Sequence, residues 1–412
     1  MIIARQQKVN NFGCEICADK AGYYMYLPAV FYWGFTAEKY PEGFDHEHGD
    51  GFHINKEDNM VVTKFTCGVA LMLSPFYALG VLLAWIFSWP VQPYSSYFLF
   101  FVNLGAAFYL VVGIYFLRKW LMNFVDDNAA LWTVLAIFFG TNLFYYTLDE
   151  SLMSHLYSFT LFSALLYGWQ LYNNERRFKY FLLFMIALSL SILTRPTNIL
   201  FLPIAVLTGS NNLQVLKQKV QLLLRPYNLL TGLIIFCAVM IPQILYWKFA
   251  FGSYFVWSYE GEGFTYWDKP QLLSVWFSPQ SGVFTYTPLV LLSLFFSGIM
   301  IFRKEKTGLL PVLVFLLVSY MCASWYNPFF GVCNFGKRPM IEYYPVILLP
   351  LSYMIMKLQT YSVELKRWII GITLVLVYYN LALFLAFNTC FFGQPWEWPK
   401  FAELLKKAFL FM

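Results

Sequence analysis

An all-α, polytopic bundle of about ten membrane-spanning helices is the fold class this sequence predicts, on three observations. First, of 412 residues, 59% are hydrophobic, 21% aromatic and only 12% charged, and the mean hydropathy is +0.57, far from a soluble average. Second, apolar runs of spanning length recur from residue 61 onward, and helices satisfy their own backbone groups in lipid. Third, basic connections alternate with acidic, aromatic ones. Loop lysines and arginines account for the net charge of +6, so no nucleic-acid partner is implied.

The expected spans are roughly 95–117, 128–147, 156–173, 180–194, 197–209, 228–250, 283–302, 308–326, 341–357 and 368–388. One set of connections carries Arg118 and Lys119; Arg176, Arg177 and Lys179; Lys217, Lys219 and Arg225; Arg303, Lys304 and Lys306; and Lys357, Lys366 and Arg367. Short loops rich in Lys and Arg stay in the cytoplasm. The other set, with Asp149 and Glu150 and then Glu260, Glu262 and Asp268, is therefore expected to face outward. The chain divides into an extracytoplasmic first loop (1–94), a transmembrane module (95–250), an outer aromatic loop (251–282) and C-terminal helices (283–412). The last region includes an outer basic-aromatic loop at 327–340 and an outer tail.

Within the first loop, 65–88 is apolar but carries Pro75 and Gly80, with Trp85 and Trp89 at its end. It reads as a helix or helix pair lying in the outer interface rather than as a crossing. Residues 1–18 contain no apolar stretch that could carry the N-terminus across. A span ahead of Asp19 is therefore expected to be missing.

Several clusters suit chemistry at a membrane surface. Asp19-Lys20-Ala21-Gly22-Tyr23-Tyr24 places an acid, a base and paired tyrosines ahead of the spans. At Arg195-Pro196-Thr197 the rise from Lys179 is only about 24 Å at ~1.5 Å per residue, less than the ~30 Å hydrocarbon core. Arg195 is thus expected at the apex of a broken hairpin, facing a polar cavity or an anion; snorkelling to the interface is the competing reading. Phe330 to Pro339 is glycine-rich and presents Lys337 and Arg338 beside Glu342, Tyr343 and Tyr344. A guanidinium matches phosphate through two parallel hydrogen bonds, and Glu342 follows Arg338 at i+4, on one helix face. An interfacial anchor of aromatics and bases is the alternative there. Lys64 opens the 65–88 segment, either aimed into the outer cavity or simply flanking a helix.

Other clusters are read more plainly. Asp149-Glu150 with His155 suits an acceptor or a divalent cation, and taken alone suits a helix-capping turn better. Asp45-His46-Glu47-His48-Gly49-Asp50-Gly51-Phe52-His53 has a metal site's composition without its spacing. Cys14-Glu15-Ile16-Cys17 is a single CxxC with no second pair, and Cys67, Cys237 and Cys322 fall in apolar runs where cysteine acts as a small hydrophobe. The aromatics of 251–282 (Trp257, Tyr259, Tyr266, Trp267, Trp276) suit either a membrane belt or stacking on sugar rings. No cofactor or metal is called for, and no phosphate-binding glycine loop, serine elbow or HExxH occurs.

The order of these features resembles the polytopic GT-C glycosyltransferases, in the branch with protein mannosyltransferases (family 39-like, bacterial) and aminoarabinose transferases. The resemblance runs from Asp19 to Trp396-Glu397-Trp398. It implies a multi-pass protein of the cytoplasmic membrane that moves a sugar from a polyprenyl-phosphate donor to a glycan, lipid or protein acceptor at the outer face. It also implies Asp19 as the base on the acceptor hydroxyl and Lys64, Arg195 and Arg338 as the donor-phosphate ligands. Tyr23, Tyr24, Asp149, Glu150, His155, Glu342 and Tyr343 would contact substrate. Lys20 stands where many members carry a second acid, which leaves a single base. A lipid-linked saccharide transporter and a non-catalytic scaffold of an envelope-glycan complex are the alternative readings.

Overall fold

The computed structural model describes residues 15–259, 261–388, 390–391 and 396–410. It is mostly helical, and among the described residues its strands form one two-stranded antiparallel ladder, β1 (His53–Asn55) and β2 (Met60–Val62). The first helix, α1 (Asp19–Tyr24), is short and buried. After several short helical turns between residues 26 and 47 come α2 (Gly68–Ile86) and α3 (Ser96–Leu121), both long and apolar enough to cross a membrane.

The 65–88 segment, expected as a helix or a helix pair, contains α2, whose length and apolar character would also suit a crossing. It is one uninterrupted helix with Pro75 inside it, not a pair broken at Pro75 and Gly80. Gly80 is a point of close approach instead: a Cβ there would lie 2.8 Å from the Phe101 ring, and one at Gly105 would lie 2.8 Å from Leu73. These two glycines let α2 and α3 pack tightly.

Beyond α3 lie α4 (Asp127–Gly140), α5 (Ser154–Glu175) and α6 (Phe178–Thr194). The α4 helix starts where Asp126 accepts from the Ala129 N–H at 3.0 Å, a side-chain cap for an otherwise unpaired donor. The α5 helix stops where Arg176 turns left-handed at φ 57°. After α6 the chain breaks at Arg195 and continues as a 3-10 turn and α7 (Phe201–Leu207). The amphipathic α8 (Leu213–Leu223) is capped by Asn212, and α9 (Pro226–Phe251) begins with proline and ends at left-handed Gly252. The remaining long elements are α10 (Leu289–Phe302), α11 (Leu309–Ser324), α12 (Leu349–Lys357), α13 (Val363–Ala386) and α14 (Trp398–Leu410).

Among the described residues, five helical segments are long and apolar enough to span: α2, α3, α9, α11 with its preceding turn (Lys306–Ser324), and α13. A sixth would be the pair Arg338–Ile347 and Leu349–Thr360, bent by 43°. The expected ten spans are thus borne out only in part. The 128–147 and 283–302 segments each split in two, and 180–194 and 197–209 give helices of only 17 and 7 residues. The 156–173 segment is a full 22-residue helix, α5, but its serines, threonine, histidine and tyrosines face protein on nearly all sides.

Side-chain contacts fix the relative directions. Thr160 on α5 donates to Tyr109 O on α3 at 2.8 Å, and Ser151 donates to Asn103 at 2.6 Å, so α3 and α5 run parallel and end together at Arg118 and Arg176. Tyr172 donates to Asn228 at the start of α9, and Tyr246 near its end bonds Val61 O. Lys306 reaches Asn211 O, and Lys357 pairs with Glu305 at 2.6 Å. The basic connections thus gather at one end of the bundle. The residues singled out for chemistry gather at the other. One continuous buried apolar cluster links the two ends, from Ile16 to Ala408.

Candidate functional site

The opposite end encloses a cavity of about 480 Å³. It is lined by α1, the turn before α2, the 149–153 hairpin, the Arg195 break, the 257–264 and 325–338 loops and the 387–390 segment. Of the residues chosen from sequence, Asp19, Tyr23, Lys64, Asp149, Glu150, Arg195, Arg338, Glu342 and Tyr343 line it.

Asp19 occupies the first turn of α1. The preceding Ala18 is held at φ 53°, a conformation that costs a non-glycine residue on the order of 1–3 kcal/mol. Its N–H donates to His48 O at 2.9 Å. The approach of the following chain depends on glycine, since a Cβ at Gly51 would fall 1.9 Å from Ala18 O and one at Gly22 would fall 2.3 Å from Gly51 O. The first loop is thereby folded back upon Asp19.

Charges in the cavity are paired. Arg338 donates to Asp19 at 2.6 Å. Lys20 binds Glu150 at 3.1 Å, so the unexpected lysine has a carboxylate of its own. Lys64 pairs with Glu262. Arg195 Nε lies 3.2 Å from Glu342, whose same oxygen is 2.8 Å from His155 Nδ1. Four cations (Lys20, Lys64, Arg195, Arg338) thus face five carboxylates (Asp19, Asp149, Glu150, Glu262, Glu342). Tyr23 donates to Ser154 at 3.1 Å, and burial raises its phenol above the ordinary value, keeping it a hydrogen-bond donor.

Several expectations need correction. Tyr24 does not reach the cavity: it is fully buried, donates to Pro93 O and packs edge-on against Tyr77 and Tyr94. His155 is also fully buried and lies behind the wall, bracketed by Glu342 and Arg195. Glu342 does not partner Arg338 on a helix face, because 338–343 winds as a 3-10 helix and aims Glu342 at Arg195. Lys337 does not present a cation either. It is buried, donating to Ser281 at 2.9 Å and Pro328 O at 2.5 Å, and burial pushes its amine down to about 7. The Asp149-Glu150 turn does not cap α5, whose start has no side-chain cap.

The histidine-rich segment is spread over separate tasks. His46 pairs with Asp50 at 2.7 Å, His48 bonds Phe44 O at 2.8 Å and Asp45 accepts from Ile54 N–H at 3.0 Å. Among the described residues no three His, Cys, Asp or Glu side chains are grouped to hold a metal ion. Of the CxxC pair, Cys17 is disulfide-bonded and Cys14 lies outside the described residues. A disulfide between Cys333 and Cys390 was not foreseen; both line the cavity. Nothing in the spacing of 57 residues signals that pairing. Glu262 was likewise passed over as a loop acid, although its glycine neighbours mark a tight turn with Gly261 at φ 76°.

In the 257–264 loop, Trp257, Tyr259 and Phe264 form an aromatic wall continued by Trp325 and Tyr326. Tyr259 packs against Phe65 and Trp325, and burial holds its phenol well above the ordinary value. On the α11 side the wall is Val318, Met321 and Cys322. The arrangement therefore sets paired charges over an apolar, aromatic floor.

No protein-family model, no curated protein and no solved structure matches this chain.

Proposed function

We propose that this protein is an integral membrane glycosyltransferase that moves a sugar from a polyprenyl-phosphate donor to an acceptor hydroxyl by a single, inverting displacement. The observation that carries the reading is the Asp19–Arg338 pair, 2.6 Å apart in a cavity with both charged and apolar walls. It joins a carboxylate able to take a proton to a guanidinium able to bind phosphate. In the reaction the acceptor oxygen attacks the anomeric carbon while the bond from that carbon to the phosphate oxygen breaks. The hydroxyl proton goes to Asp19, and the electron pair leaves with the polyprenyl phosphate. Arg338, Arg195 and Lys64 offset the charge that builds there, in a partly dry site where fixed cations act strongly.

The tail would enter sideways along Val318, Met321 and Phe264. The positive-inside bias supports an outward-facing site, and so do disulfides at the cavity end, which persist in oxidising compartments. The broken helices at Arg195 and near Leu348 also suit a lipid-linked saccharide transporter. Purified protein supplied with a radiolabelled polyprenyl-phosphate sugar and a mixture of envelope acceptors separates the readings. Label transfer is expected. Movement of the intact donor across liposomes without transfer would replace the enzyme with a transporter.

A further inference from the structure

A second cavity, of about 500 Å³, lies at the basic end of the bundle, opposite the first. It is formed by the turn after α3, the last turn of α5, α8 and residues 307 and 353. Six carboxamides face it: Asn123, Gln170, Asn173, Asn174, Asn211 and Gln218. Their orientation is fixed in part by backbone, since Asn173 donates to Trp169 O at 2.7 Å and Asn123 donates to Trp120 O at 2.8 Å. Two cations, Arg176 and Lys219, complete the wall, and no described lining residue is Asp or Glu. The nearby acids are engaged elsewhere: Glu305, which faces the lining Tyr353, with Lys357 at 2.6 Å, Glu175 with Arg177 at 3.1 Å, and Asp126 as the cap of α4.

We infer that this cavity is a binding site for a phosphorylated, polyhydroxylated ligand. Carboxamides carry both donors and acceptors and so match hydroxyl groups, while two cations without a carboxylate select an anion. Lys219 is 9% exposed as a residue, and its Nζ donates to Thr208 O at 2.6 Å. Burial pushes its amine down to about 8, which leaves it mostly charged at neutral pH, and a bound phosphate would favour that form further. The α8 helix that carries Lys219 leaves Leu213 and Val220 exposed, and Leu224 follows them at its end. An amphipathic helix of that kind lies at a membrane surface, which sets the cavity at headgroup depth and favours an anionic lipid headgroup over a soluble phosphate. None of this depends on the glycosyl-transfer reading.

The test uses the full chain in detergent, with dihexanoyl-phosphatidylglycerol and glycerol 3-phosphate as probes and dihexanoyl-phosphatidylcholine as the control without headgroup hydroxyls. Native mass spectrometry or calorimetry should show saturable binding of one or both hydroxylated probes. Phosphatidylglycerol alone identifies a headgroup; binding of glycerol 3-phosphate identifies a soluble source. Arg176→Asn, which keeps a residue tolerant of the left-handed turn, should weaken binding by about tenfold or more at unchanged melting temperature. Lys219→Met should do the same. No saturable binding of either probe, equal binding of the control, or full affinity in Arg176→Asn overturns the proposal.

Discussion

Arg338 and Asp19 stand 319 residues apart in sequence and 2.6 Å apart in space. Their side chains are 17% and 32% exposed, so both remain reachable from the cavity. In this state the guanidinium that would bind a donor phosphate is held by the carboxylate that would take the acceptor's proton. On the proposed function, an arriving phosphate would compete with Asp19 for Arg338 and free the carboxylate as it did so.

Asp19→Asn therefore separates chemistry from binding. Turnover should fall by about 10²–10⁴-fold, the range for loss of a general base, while donor-lipid affinity stays equal or rises because Arg338 has lost its competitor. Single-turnover transfer beside equilibrium binding of the labelled donor measures both. Unchanged turnover would remove Asp19 from the reaction.

Glu342 should matter to the fold as well as to the site. It is 2% exposed and is shared by Arg195 and His155. Glu342→Leu leaves the Arg195 guanidinium without its buried counter-charge, a loss of about 3–5 kcal/mol. Thermal unfolding in detergent should show a large fall in midpoint, with a smaller one for His155→Phe.

Lys337 gives a pH signature. Its amine is pushed from 10.5 down to about 7, so between those values the unfolded chain binds a proton that the folded chain does not. Folding stability should therefore rise with pH from about 7 to about 10.5. Lys337→Met should lack that increment, which a difference in melting temperature between the two proteins across the range will reveal.

The Cys333–Cys390 bond closes a loop of separation 57. Cys333→Ser with Cys390→Ser should cost about 2–4 kcal/mol, and reductant should lower the wild-type midpoint by more than that of the double variant, which keeps only the disulfide of Cys17.

The sequence made much of this site legible, for identifiable reasons. Charge bias in the connections sorted the two ends of the bundle, and the short rise to Arg195 exposed the broken hairpin, because both depend on local composition and length. Contacts between distant segments were hidden. Nothing near Glu342 in sequence says that it turns to Arg195 rather than to Arg338, and Lys337 and Arg338 are adjacent yet have opposite fates. The span count is borne out only in part for a similar reason. Apolar runs report helices that meet lipid, whereas α5 is buried among its neighbours and keeps polar side chains, and the choice between one helix and a pair at 65–88 stayed open because the packing role of Gly80 is not expressed in composition.

The sulfur bridge has a consequence for how the protein matures. Cys333 precedes α12 and α13 in the chain, and Cys390 follows them. The bond they share can therefore form only after α12 and α13 have been made and both thiols have met an oxidant. A chain made where thiol oxidation is blocked would carry both helices and still lack the covalent link between the two segments that meet at the cavity wall.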